Sequence, residues 1–121
     1  MEGLLTKEQI LAADDIKTEE VGVPEWGGSL IVKAITAAER DLFDQRMTKS
    51  RKGNEQDNME DVRASLCVEC IIGSDGKRMF TKDDIVALSN KSGAALDRVF
   101  AVAQRLAGMD KADLKELAKN S

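Results

Sequence analysis

Residues 80–108, FTKDDIVALSNKSGAALDRVFAVAQRLAG, read as two capped helices in tandem, and the second decides the fold. After Ser92, apolar side chains fall at Leu96, Val99, Phe100, Ala103, Leu106 and Ala107, the spacing of one buried helical face. Asp97, Arg98, Gln104 and Arg105 lie between them, and Gly108 follows as the helix stop. In the first helix Thr81 is the cap, Asp84 stands in the reaching-back position, and Phe80 and Ile85 have the spacing of a hydrophobic staple.

Upstream of the Ser74-Asp75-Gly76-Lys77 turn, a helix is expected from about Met59 to Ile72. It starts acidic and ends in LCVECII, apolar on nearly every side except Glu69, the pattern of a central helix. Residues 49–58 are polar and rich in turn formers, and are expected to form a mobile loop. Before them, Thr36-Ala37-Ala38-Glu39 is a capping box that opens a helix carrying Leu42, Phe43 and Met47. From Thr18 the apolar period becomes two: Val21 and Val23 on one side of Pro24-Glu25-Trp26-Gly27-Gly28, Leu30 and Val32 on the other. That is a β-hairpin. Thr6-Lys7-Glu8-Gln9 is a further capping box, with Leu5 and Ile10 as its staple, so a short helix is expected to about Ala13. Asp110 is expected to cap a last short helix, with Met109 and Leu114 as its staple.

The expected fold class is therefore α+β: one N-terminal β-hairpin, about 18–35, packed on a mostly helical domain of about five helices. At 121 residues, 1–121 is expected to be a single domain, with C-terminal helices over about 82–119. Hydrophobic residues make up 42% of the chain but aromatics only 3%, so aliphatic side chains must fill most of the core. A net charge of −4 argues against a surface built to neutralise phosphate backbones. The basic strip from Arg46 to Lys52 has no interleaved aromatics and reads as a solvated loop. No signal peptide or membrane-spanning run is evident.

Cys67-Val-Glu-Cys70 is the one stretch with an enzyme's vocabulary. Redox pairs place the first sulfur at a helix amino end, whereas both cysteines here lie near the carboxyl end of an apolar helix. They read as reduced structural thiols, which implies a cytoplasm. With no histidine and no third cysteine, a zinc site would need carboxylates or a second subunit, and no metal is assigned. Asp14-Asp15, Glu60-Asp61 and Asp83-Asp84 read as helix-end charges, not an acid–base site. Gly27-Gly28 and Ser92-Gly93 lack the context of a phosphate loop. No catalytic residue and no cofactor is expected. Trp26, at the hairpin tip, has two readings: an exposed anchor for a partner, or a ring folded back over its strands.

The PEWGG turn followed by ITAAER at 35–40, then SDGKRMFTKDDIVAL at 74–88 and SGAALDRVFAVAQRLAGM at 92–109, carry a family resemblance over nearly the whole chain. The chain resembles the tail assembly chaperones of long-tailed bacteriophages and their prophages, the group similar to the lambda gpG protein. The resemblance implies a non-enzymatic protein of the bacterial host cytoplasm, absent from the mature virion. Such a protein holds the apolar, helical tape measure protein soluble while tail tube subunits polymerise around it. It also implies contact with the tail tube protein through a frameshifted extension; self-association is a further expectation. No nucleic-acid or membrane partner is expected. The rival reading is a structural tail or head-tail connector component of the virion, which would need larger sheets than one short hairpin. The expected partner surface is the hairpin: Trp26, Gly27, Gly28, Leu30, Ile31 and Val32. Its two edge strands are expected to add a strand or dock a helix.

Overall fold

The computed structural model describes residues 3–49 and 55–109. In chain order these form α1 (Lys7–Ala12), β1 (Thr18–Val23), β2 (Gly28–Lys33), α2 (Ala37–Lys49), α3 (Glu55–Cys70), β3 (Ile71–Ile72), α4 (Ile85–Ser89) and α5 (Gly93–Leu106). The α+β class holds: five helices and a three-stranded antiparallel sheet in the order β1-β2-β3.

The hairpin pairs Thr18 with Lys33 and Val23 with Gly28, which places Val21, Val23, Leu30 and Val32 on one face. That face lies against α5, and α5 in turn packs on α3, with α2 and α4 beside α3. Alternation on β1 and β2 and the helical period on α5 thus converge on one apolar cluster. In α5, Ala95, Leu96, Val99 and Ala103 are buried, while Phe100, Leu106 and Ala107 are half-buried against the same cluster. The two alanines leave space for the helix to approach its neighbours closely. Each large aliphatic side chain taken fully out of water contributes roughly 1.5–3 kcal/mol.

Three capping boxes form as the sequence predicts. Thr6 accepts from the Gln9 amide at 3.1 Å, Thr36 from the Glu39 amide at 3.1 Å, and the Thr81 amide donates to Asp84 at 2.9 Å. The helix after Thr81 begins as a single 3₁₀ turn, Lys82–Asp84, before continuing as α4. Gly108 takes a left-handed φ of +72° after α5, as expected of a helix stop. The helix expected from Asp110 lies outside the described residues.

Three expectations are corrected. The central helix ends at Cys70, not Ile72, because Ile71 and Ile72 pair with Val32 and Ile31 of β2. Their β-branched side chains suit a strand, and Gly73 then opens a turn that brings Arg78 back opposite Ile72. The polar segment 49–58 is not all loop: Lys49 ends α2 and Glu55–Asn58 belong to α3, leaving 50–54 outside the described residues. Finally, the hairpin does not offer two free edges. β3 covers β2 at Ile31 and Val32, so β1 is the long edge and β2 is open only over Gly28–Leu30. Leu42 of α2 is also exposed, whereas Phe43 and Met47 are buried.

Candidate functional site

Pro24 fixes the start of a 3₁₀ turn, Pro24–Trp26, and Gly27 closes it with φ +78° and a hydrogen bond donated by its amide to the Pro24 carbonyl at 3.1 Å. Glycine is required there, because a side chain strains at that φ. The tip is then tied down from outside the hairpin: Arg98 of α5 forms a salt bridge with Glu25. That hydrogen bond from the guanidinium holds the Glu25 carboxyl below its ordinary value. At the other end of the hairpin Arg105 donates to both carboxylate oxygens of Glu19 at 2.9 Å. One helix therefore clamps both ends of β1.

Held this way, Trp26 is one wall of a groove of about 360 Å³, completed by Phe80, Asp84, Ala87, Leu88 and Lys91. Its indole is about a third exposed, at 36%, so the ring neither stands free nor disappears beneath the strands. Leu88 is buried, Phe80 is half-buried as the staple residue before α4, and Ala87 is exposed. The lining is thus mostly apolar, with one acidic residue, Asp84, and one basic residue, Lys91. An open apolar groove of this kind suits the apolar face of a peptide segment.

Of the expected partner residues, Trp26, Gly27 and Gly28 are accessible at the tip. Leu30 and Ile31 are half-buried, Leu30 against the core and Ile31 against β3. Val32 is fully buried and has no surface to offer. Sequence reasoning missed Phe80, Ala87, Leu88 and Lys91, which stand more than fifty positions after Trp26. The staple at Phe80 was the one available signal, since it places an aromatic ring just before α4.

A second arrangement was also hidden. Glu69 is fully buried, its Oε2 accepts from Arg46 Nη2 at 3.1 Å, and Arg78 Nη2 stands 3.2 Å from Oε1 without hydrogen-bond alignment. This joins α2, α3 and the turn after β3 around one carboxylate. The fully buried carboxylate thus ties three elements to one point. Cys67 and Cys70 are free and buried. Burial raises both thiols, Cys67 with a further push from Cys70, and Cys70 reaches about 12, so neither supplies a thiolate near neutrality.

No curated protein and no solved structure matches the chain. A family model described as phage tail assembly chaperone matches residues 6–120. With that match over almost the whole length, the chain belongs to the phage tail assembly chaperone family.

Proposed function

We propose that this chain binds the tape measure protein of its own phage or prophage through the groove at the hairpin tip and keeps it soluble during tail tube assembly. Family membership implies phage tail proteins as partners. The observation that supports this particular partner is the groove itself, a mostly apolar surface of Trp26, Phe80, Ala87 and Leu88 with one acidic and one basic residue in its lining. An amphipathic helix lays its apolar face into such a groove while its polar face stays wet. A holding protein needs accessible apolar surface balanced by charge, and the chain's 33% charged residues supply that balance.

In this reading the protein works without catalysis, in the bacterial host cytoplasm, and leaves before the mature virion is complete. Contact with the tail tube protein belongs to a frameshift-extended form, and copies of the chain self-associate.

Co-expression with the tape measure protein from the same genome tests the reading. The expected result is that the tape measure protein moves into the soluble fraction and elutes with the chain, and that Ala87→Arg, which fills the groove, abolishes both. A tape measure protein that stays equally insoluble with and without the chain overturns it.

A further inference from the structure

Beside the Trp26–Leu88 groove lies a smaller hollow of about 100 Å³ at the meeting of α3, α4 and α5. Its lining is Arg63 of α3, Ser89 at the end of α4, Lys91, and Gly93 and Leu96 of α5. Lys91 lines the groove as well, so the two depressions share one side chain. The groove is mostly apolar, whereas the hollow carries two cations and no acidic residue in its lining.

We propose that this hollow is a carboxylate site, in which Arg63 and Lys91 hold an Asp or Glu side chain at the margin of the apolar face that fills the groove. The chain then selects tape measure segments by two features together: an apolar helical stripe and an acidic side chain beside it. This selection rests on the groove being the tape measure site, as argued above. It adds to that reading which segments are taken and which are refused.

The charges of the two linings argue for an anion over a cation. Lys91 is exposed and makes no ion pair among the described residues. Arg63 gives Nη1 to Asp97 at 2.8 Å, which leaves the rest of its planar fork of donors to face a second carboxylate. Ser89 donates its hydroxyl to the Ile85 carbonyl at 2.9 Å, so the two cations are the donors that count. Asp84, the acid of the groove, is engaged as a helix cap, accepting from the Thr81 amide at 2.9 Å. The basic member of the pair is thus the one without a partner. A carboxylate placed beside apolar surface is drawn to these cations more strongly than in open water, because the local dielectric is lower. A basic side chain in the same place meets two like charges and is repelled.

Labelled peptides of about 20 residues, long enough to form a helix and tiled along the tape measure protein of the same genome, test the selection. Each is titrated with the full chain and followed by fluorescence anisotropy. The peptides that bind are expected to carry Asp or Glu next to an apolar helical face. In the tightest of them, exchanging that acid for its amide is expected to weaken binding roughly tenfold. Lys91→Glu is expected to weaken the acidic peptide to a similar degree and to favour the same peptide with Lys in place of the acid. Acid and amide forms that bind equally, or a Lys91→Glu chain that keeps the wild-type order, overturn the carboxylate site. In that event, peptides that still bind wild type and are lost with Ala87→Arg leave the groove reading standing. If no peptide binds, both readings are overturned together.

Discussion

Glu25 at the hairpin tip and Arg98 in the middle of α5, 73 positions apart, form a salt bridge that fixes the wall on which Trp26 stands. The pair sits at the surface, where ion pairs contribute little to global stability. Its effect is local, on the orientation of one turn.

Arg98→Ala is therefore expected to leave the melting transition nearly unchanged while loosening the tip. Amide hydrogen exchange should quicken over residues 24–28, and Trp26 emission should shift toward that of a solvated indole. A large drop in melting temperature would mean that the pair carries the fold and not merely the turn.

Glu39 supplies a pH dependence. Burial alone would raise its carboxyl, but the Lys33 ammonium and the Thr36 amide outweigh that, and the net effect is a value below the ordinary 4.5. A carboxyl lowered on folding stabilises the protein above its unfolded pKa and loses that contribution as pH falls through its folded pKa. Stability is expected to be flat from neutrality to about pH 5 and to fall below it. Glu39→Gln keeps an acceptor for the Thr36 amide but loses the ion pair with Lys33, and should lower stability at pH 7 by about 0.5–1 kcal/mol and shrink the acid limb. Urea midpoints at pH 7 and at pH 3.5–4.5 measure both effects.

Glu69→Ala is expected to cost about 1.5–3 kcal/mol, because it removes the charged hydrogen bond from Arg46 and the ion pair with Arg78, two cations that are only partly buried. Replacing all three with aliphatic residues of similar volume should recover most of that loss. Denaturant unfolding of the single and triple variants decides whether the triad supplies stability or only constrains which elements meet.

Cys67 and Cys70 should resist a thiol reagent at pH 8 in the native protein and react in full after unfolding. Burial and raised pKa values both act against the thiolate. Fast reaction of either thiol under native conditions would reopen a redox role for the pair.

What the sequence shows plainly is what short-range chemistry controls. Thr6, Thr36 and Thr81 each announce a helix because the cap and its partner lie within four positions. The hairpin announces itself through Pro24, Gly27 and the alternation around them. The third strand is silent, since Ile71 and Ile72 carry too few residues to show a period and extend an apolar helix without a break. Glu69 is visible as the odd charge on that helix, but its partners Arg46 and Arg78 are chosen by packing and carry no local mark. The groove is hidden for the same reason. Trp26 could be singled out by its place on the turn, but its being a wall depends on where Phe80 and Leu88 arrive.

The order in which the core is assembled along the chain has a kinetic consequence. The apolar face of the hairpin, written by residue 33, is covered by α5, which begins at residue 93, and its inner strand gains its second partner only at residue 71. Contacts this distant in sequence form late and slow the search. During synthesis Val21, Val23 and Val32 have no lasting cover until α5 has emerged. A member of a chaperone family built this way passes its own early life as an exposed apolar strand pair.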